Sequence, residues 1–144
     1  MLRVFMTLLF GLIFCASAWA AEEIAIVKQV QGKVSIKRSG EIHTAAQGDK
    51  LQAGDILITD AASSVGAIFH DGSILTLEEK SFLRIDAFLF KPIENKFKFN
   101  LFLENGSALF ESGKIGNLAP EDFSFEIPAG TIGIRGTKFL VEVK

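Results

Sequence analysis

The 144-residue sequence carries 15 basic and 17 acidic side chains, a formal net charge of −2, and 49% of its residues are apolar. This balance excludes a basic nucleic-acid-binding protein, which needs a clustered positive excess, and a disordered acidic chain, which cannot supply a core. The composition therefore predicts a folded protein with an apolar core.

The first 20 residues have the pattern of a helical, cleavable secretory signal peptide. Arg3 supplies a positive start, Val4–Cys15 is an apolar run too short to span a membrane, and Ala18–Ala20 provides small residues before a cleavage point. We predict cleavage after Ala20, no stable membrane insertion afterwards, and a location in the periplasm or outside the cell.

Removal of these residues leaves residues 21–144, a length that fits one compact domain. The loss of Arg3 changes the net charge from −2 to −3. Cys15 is the only cysteine and Trp19 the only tryptophan, so the mature chain has neither. Disulfides and thiol chemistry are therefore excluded, although export leads to compartments that permit disulfides.

From residue 21 onward, apolar side chains recur with a period of two, which predicts β-strands. The first clear pair is Val65–His70 and Ile74–Leu77, on either side of Asp71-Gly72. Asp-Gly between two apolar runs predicts a tight hairpin, because that turn needs positive φ angles. Glu78–Arg84 follows and is the one stretch in which the pattern leaves room for a helical turn.

Three later stretches show the same alternation. Lys96–Leu103 places its odd-numbered apolar side chains on one face, with two lysines and an asparagine on the other, as in a half-buried strand. Phe123–Ile127 and Phe139–Val143 repeat this pattern, the latter with β-branched residues.

Turn signals recur between the apolar runs at short intervals, which suits strands of five to eight residues. They are Ser39-Gly40, Gly48-Asp49, Gly54-Asp55, Asp71-Gly72, Asn105-Gly106, Gly116-Asn117 and Pro128–Gly130. The sequence thus predicts an all-β domain. Two arrangements remain open: a short β-solenoid-like stack of strands and hairpins, or a β-sandwich.

Five stretches, taken in order, resemble the FecR domain family, the periplasmic module of bacterial iron-uptake regulators and of other exported proteins. They include an apolar strand that runs into Asp-Gly-Ser and a late signature of the form G-x-R-G-T-x-F. The stretches are Gly32–Val34, Gly48-Asp49 with Gly54–Thr59, Ala67–Ser73, Gly106–Phe110 and Pro128–Phe139.

The resemblance implies a β-rich, solenoid-like domain outside the inner membrane that works by protein contact. The iron regulators of the family pass a signal from an outer-membrane receptor to a cytoplasmic sigma factor. This chain departs from that plan, because it lacks the cytoplasmic anti-sigma region and a membrane span. It also reaches Lys144 just after the signature, where family members commonly continue, so we expect a C-terminally shortened module.

The glycine-rich signature raises the question of a phosphate site. Its glycines at positions 130, 133 and 136 are followed by the strand-like run Phe139–Val143 and not by a helix, so no helix N-terminus is available for an anion. We interpret the run as structural, with Arg135 as a partly buried cation that binds Asp49, Asp55 or Asp71. The alternative is that Arg135 binds a carboxylate of a ligand or of a partner protein. The family residues that we predict to be structural are Gly133, Arg135, Gly136, Thr137 and Phe139 in the signature, and Gly54, Asp55, Asp71, Gly72 and Ser73 in the turns.

Other chemistry has little support in the sequence. His43 and His70 lack further ligands at metal-binding spacing, so we predict no metal and no cofactor. Ser73 lies outside any Gly-x-Ser-x-Gly elbow, and Glu78, Glu79 and Asp86 are better explained by a solvated turn than by a glycosidase pair. We therefore predict that the protein is not an enzyme.

The phenylalanines of the mature chain are predicted to fill the core, since no tryptophan or tyrosine is present there. Phe88, Phe90 and Phe102 lie where the alternation breaks down, and an exposed cluster of these three would indicate an interface. The remaining aromatic positions used in this interpretation are Phe97, Phe99, Phe110, Phe123 and Phe125.

The leading hypothesis is an exported, non-enzymatic FecR-like protein-interaction module in cell-envelope sensing or signalling, with an envelope protein as its partner and no nucleic-acid partner. One alternative is a carbohydrate- or cell-wall-binding module. Another is a structural protein that assembles homo-oligomers through an exposed strand edge, an expectation drawn from the final run Val141–Lys144.

Overall fold

The computed structural model describes residues 21–134 and 138–144. The predicted signal-peptide helix and its cleavage site lie outside the described residues. Strands account for 62% of the described residues and helices for 9%, which confirms the all-β prediction.

Twelve strands, one short helix and two 3₁₀ turns make up this part of the chain. The strands are β1 (Glu23–Gln31), β2 (Val34–Arg38), β3 (Glu41–Thr44), β4 (Lys50–Gln52), β5 (Ile56–Thr59), β6 (Ser64–Phe69), β7 (Ile74–Leu77), β8 (Phe82–Lys91), β9 (Lys96–Glu111), β10 (Phe123–Ile127), β11 (Gly130–Ile132) and β12 (Lys138–Val143). The helix is α1 (Lys114–Leu118), and the 3₁₀ turns are Pro92–Glu94 and Pro120–Asp122.

The strands form one connected sheet in the order β3-β2-β5-β8-β9-β7-β6-β1-β4, with β10 and β12 attached to β9 and β11 attached to β10. All pairings are antiparallel except that of β9 with β10. The predicted succession of short strands and hairpins is confirmed, and the sheet that they form curls into an open half-barrel.

The hairpin predicted at Asp71-Gly72 joins β6 to β7. Gly72 has a φ of +86°, and its N–H donates to the carbonyl of Phe69 at 2.9 Å. The two strands pair from Ile68 opposite Ile74 to Val65 opposite Leu77. The positive φ explains why the Asp-Gly signal was informative, because glycine adopts it without a Cβ penalty.

Strand β9 is the centre of the sheet and has two limbs. Its first limb, residues 96–105, pairs with β8 and β10, and its second limb, residues 106–111, pairs with β7 and β12. Phe99 and Phe110 would lie about 36 Å apart along a straight strand. Their ring centroids are instead 5.6 Å apart, so β9 bends sharply between them.

The bend occurs at Gly106, which the sequence predicted to be part of a turn between separate strands. Its φ is +96°, and the pairing of β8 with β9 shifts by one residue between Asn105 and Leu103. The burial pattern changes phase here: Leu101 and Leu103 are buried before the bend, and Ala108 after it. The bulge at Glu104 and the left-handed glycine two residues later therefore keep apolar side chains on the core face of both limbs.

The helical turn predicted within Glu78–Arg84 is wrong. Residues 78–81 instead connect β7 to β8, and two of their N–H groups are bound by carbonyls from elsewhere in the chain. Glu78 N–H donates to the carbonyl of Ser107 at 2.9 Å, and Lys80 N–H to the carbonyl of Asp60 at 3.2 Å. Helical residues occur later, where Gly116-Asn117 lies inside α1 and not in a simple turn.

The core is an aromatic network between the two limbs of β9. Phe99 contacts Phe69 at 4.7 Å between ring centroids, and Phe110 stacks on Phe123 at 4.9 Å. Phe99, Phe110, Phe123 and Phe125 are buried, which confirms their predicted core position. Aromatic contacts at these distances add to the stabilisation from burial of apolar area.

Substitution of Gly106 by alanine should destabilise the fold by about 3 kcal/mol, from left-handed strain and from overpacking against Ser81. An added Cβ would lie closer to the backbone and side chain of Ser81 than real Cβ atoms ever lie. The measurement is the free energy of unfolding in urea.

Gly40→Ala is the matched control, because Gly40 has a similar φ of +81° and no atom within 4 Å of the added Cβ. This control should cost about 1 kcal/mol, from strain alone. Equal losses for the two variants would show that contact with Ser81 is not what requires glycine at the bend.

Candidate functional site

The Asp71-Gly72-Ser73 turn forms a buried polar junction with the chain that follows β9. Asp71 and Ser73 are each 1% exposed. Asp71 Oδ1 accepts from the N–H of Ser73 at 3.0 Å, and Asp71 Oδ2 accepts from Ser73 Oγ at 2.8 Å and from the N–H of Ile115 at 3.2 Å. These bonds join the β6–β7 hairpin to the start of α1, more than 40 residues later.

Gly113 allows the two segments of this junction to approach each other. Its N–H donates to Ser73 Oγ at 2.9 Å, and the neighbouring Lys114 N–H donates to the carbonyl of Asp71 at 2.8 Å. A Cβ at Gly113 would collide with the backbone of the Asp71-Gly72-Ser73 turn. Only glycine fits at this position, because any side chain would collide with the turn. The sequence alone did not reveal this requirement.

The Gly54-Asp55 turn forms a second junction around a buried carboxylate. Asp55 is 1% exposed and accepts two hydrogen bonds from Arg38, from Nε at 2.8 Å and from Nη2 at 2.7 Å. It also accepts from the N–H of Gln52 at 2.8 Å. Such a two-point guanidinium–carboxylate pair fixes both the position and the orientation of the arginine side chain relative to the carboxylate.

Arg38 was missed in the sequence, although a signal was present. Along β2 the alternation places Arg38 on the same face as Val34 and Ile36, which are both buried. An arginine on a core-facing row needs a buried acceptor. The hydrogen bond to Asp55 raises the pKa of Arg38 above its ordinary value, against the opposing effect of burial. Arg38 is therefore charged throughout the neutral range. The stability linked to its raised pKa is fully present below the ordinary arginine pKa and is lost as the pH rises through the raised value.

The same local arrangement of a serine and a glycine occurs three times among the described residues. A buried serine lies against a glycine, and its Oγ accepts from the N–H of that glycine or of the next residue. The pairs are Ser63 with Gly32 through Lys33 N–H at 2.8 Å, Ser81 with Gly106 through Ser107 N–H at 3.0 Å, and Ser73 with Gly113 at 2.9 Å. In each pair a Cβ on the glycine would collide with the serine or its turn.

A family model described as FecR protein matches residues 55–144, which is 90 of the 144 residues. The chain belongs to the FecR family. No curated protein and no solved structure gives a significant match to it. No helix in the described part of this FecR protein is long and apolar enough to cross a membrane.

The matched FecR segment begins at Asp55 and includes the Asp71-Gly72-Ser73 junction, the bend at Gly106 and Gly113. The earlier stretches that resemble the family, Gly32–Val34 and Gly48-Asp49, precede the match, so the resemblance there stays a prediction. In the second of these stretches, Asp49 Oδ2 accepts a hydrogen bond from the N–H of Ala46 at 2.8 Å.

The late FecR signature is described only at its two ends. Arg135, Gly136 and Thr137 lie outside the described residues, so the predicted contact between Arg135 and an aspartate stays a prediction. No described atom lies within 4 Å of a Cβ built on Gly133. Phe139 packs against Phe110, with ring centroids 5.5 Å apart, and joins β12 to the core.

The three uncertain phenylalanines do not form an exposed cluster. Phe88 packs edge-on against Phe99 at 4.9 Å, and Phe90 lies 6.1 Å from Phe97, so both flank the core. Phe102 points to the opposite face, where the guanidinium of Arg84 lies 4.9 Å from its ring centroid. A hydrogen bond to Asp86 raises the pKa of Arg84, which stays charged beside the ring.

A cleft with a volume of about 510 Å³ lies beside β2, β3 and β4. Its lining residues are Ile36, Arg38, His43, Thr44, Gly48, Asp49 and Lys50, which include no phenylalanine, tyrosine or tryptophan. Within residues 21–134 and 138–144, no group of three His, Cys, Asp or Glu side chains is placed to hold a metal ion.

Replacement of Arg38 by methionine should cost about 2 kcal/mol, because the aliphatic stem is kept while the buried Asp55 carboxylate loses its cation. Lys33→Met is the control, since Lys33 and Asp60 form a largely exposed pair at 3.7 Å. The control should change stability by less than about 0.5 kcal/mol. Thermal and urea unfolding measure both, and equal effects would contradict a structural role for the Arg38–Asp55 pair.

Ser73→Ala should lower stability by about 2 kcal/mol, because the half-buried N–H of Gly113 loses its acceptor and the buried Asp71 loses a donor. Ser64→Ala is the matched control, since Ser64 bonds to Gln31 at the surface, and it should stay within about 0.5 kcal/mol of the parent. Amide hydrogen exchange at residues 113–118 measures the local stability of the segment that the junction holds. Unchanged protection there in the Ser73 variant would argue against the junction.

Proposed function

We propose that this FecR protein works outside the inner membrane through contacts with another cell-envelope protein, in a sensing or signalling process, and not as an enzyme. The observation that carries the proposal is the family match over residues 55–144. FecR proteins are regulatory and signalling proteins and are not known as enzymes, and FecR domains are periplasmic in their family context.

The use of polar groups in the described structure supports a non-enzymatic role. Asp55, Asp71, Ser73 and Ser81 are each about 1% exposed, and each is hydrogen-bonded within the fold. Catalysis needs a nucleophile or a general base that can reach a substrate. These groups are instead committed to holding turns and strands together, which suits a rigid contact module.

One surface of the sheet has the character of a protein contact site. Ile26 on β1, Ile68 on β6 and Ile74 on β7 lie directly opposite one another in three adjacent strands. Ile26 is 36% exposed and Ile74 is 37% exposed. The solvent face of an antiparallel sheet is ordinarily polar, so an apolar row on it favours contact with a partner.

The test is a crosslinking pull-down of the tagged protein from intact envelopes, read by mass spectrometry. We expect one dominant envelope protein, and we expect Ile26→Lys/Ile74→Lys to reduce its recovery at least tenfold, about 1.4 kcal/mol of binding free energy. Ile42→Lys is the control, because Ile42 is 64% exposed on β3, away from the isoleucine row.

Circular dichroism must show that all three proteins are folded. Recovery of only cell-wall glycans, or of only further copies of this chain, would contradict the proposal. If the double variant and Ile42→Lys lose the same amount of recovered partner, the isoleucine row is not the contact surface.

A further inference from the structure

Strand β12 ends the sheet on one side of β9. It pairs antiparallel with the second limb of β9, from Lys138 opposite Glu111 to Val143 opposite Gly106. No other strand within residues 21–134 or 138–144 pairs with it. One side of β12 therefore presents backbone N–H and C=O groups that a further strand can bind.

The side chains of β12 alternate between the two faces of the sheet. Val141 is 5% exposed, and Phe139 and Val143 pack against the core on the same face. Lys138, Leu140 and Glu142 point outward, and Leu140 is 64% exposed. Any strand added to this edge must continue both an apolar core row and this Lys-Leu-Glu row.

We propose that the occupant of this edge is β12 of a second copy of the chain, paired antiparallel about a twofold axis through Leu140. In that register Lys138 of each copy lies opposite Glu142 of the other, and the two Leu140 side chains lie opposite each other. Phe139 lies opposite Val141 on the core face. The strand is thus complementary to itself in charge and in shape, as a twofold interface requires.

Alternative registers are less favourable. A twofold axis between two residues would place outward side chains opposite core-facing ones, so the core face of one copy would continue into the solvent face of the other. A twofold axis through Val141 would place Leu140 opposite Glu142, and one through Phe139 would place Lys138 opposite Leu140. Only the axis through Leu140 pairs the two charges and the two leucines.

The proposed pairing also continues rows that exist within one copy. Leu140 lies opposite Leu109 of β9, so four leucines would follow one another across the dimer. Lys138 lies opposite Glu111, so it would have an acidic residue on each side. Cross-strand apolar and opposite-charge pairs of this kind each contribute roughly 0.2–1 kcal/mol.

The register can be tested by cysteine crosslinking in a Cys15→Ser background of the full chain, which removes the only natural thiol. Leu140→Cys should give a disulfide-linked dimer on mild oxidation, because the paired Cβ atoms would lie about 5 Å apart. Glu142→Cys is the matched control on the same face. Its two cysteines would lie about 13 Å apart along the strands and should not crosslink.

Charge-reversing substitutions give an independent test, in which sedimentation equilibrium measures the dimer affinity. Lys138→Glu should weaken dimerisation roughly tenfold, because two attractive pairs become repulsive. The double variant Lys138→Glu/Glu142→Lys should restore most of the parent affinity, since both intermolecular pairs are re-formed with reversed sign. The repulsion that the exchange creates with Glu111 lies within each copy and is present in monomer and dimer alike. Leu118→Asp, an exposed substitution on α1, should leave the affinity unchanged.

A parent protein that is monomeric at millimolar concentration would overturn the proposal. So would equal crosslinking at positions 140 and 142, or failure of the double variant to restore the affinity. The experiment uses purified protein alone, so its result is separate from the capture of an envelope partner.

Discussion

The bend of β9 at Gly106 is the constraint on which the rest of the structure depends. One strand contributes to both sides of the core because its two limbs face each other, and it pairs with β8, β10, β7 and β12. The bend is possible only where a residue takes a φ of +96° and leaves no Cβ against Ser81. Phe99 and Phe110 then meet in the interior of the open half-barrel.

Buried serines bind the backbone N–H groups that such bends leave without partners. Where a chain turns sharply, backbone N–H groups lose their ladder partners and must be bound in another way. Ser63, Ser73 and Ser81 each supply an Oγ acceptor at a point where the chain changes direction. Glycine and serine are therefore paired in space, with the glycine giving room and the serine giving the hydrogen bond.

The sequence predicted the features that depend on neighbouring residues and missed those that depend on distant ones. The Asp71-Gly72 hairpin and the strand alternation in Lys96–Leu103 are local patterns, and both were correct. The bend at Gly106 was predicted as a turn, because only the contact with Ser81, 25 residues earlier, distinguishes a bend within a strand from a hairpin. The alternation along β2 indicated that Arg38 faces the core, but its partner Asp55, 17 residues later, could not be identified from neighbouring residues. The contacts of Arg135 lie outside the described residues.

The central place of β9 has a consequence for how the protein reaches its fold. Strands β7 and β8 are made before β9 and pair with it directly, so during synthesis each has an open edge until residue 96 onward is available. The Asp71 junction closes later still, when Ile115 arrives 44 residues downstream. Such non-local closure slows folding and leaves strand edges exposed to aggregation. A chain of this topology thus benefits from being held unfolded until its last third has been delivered.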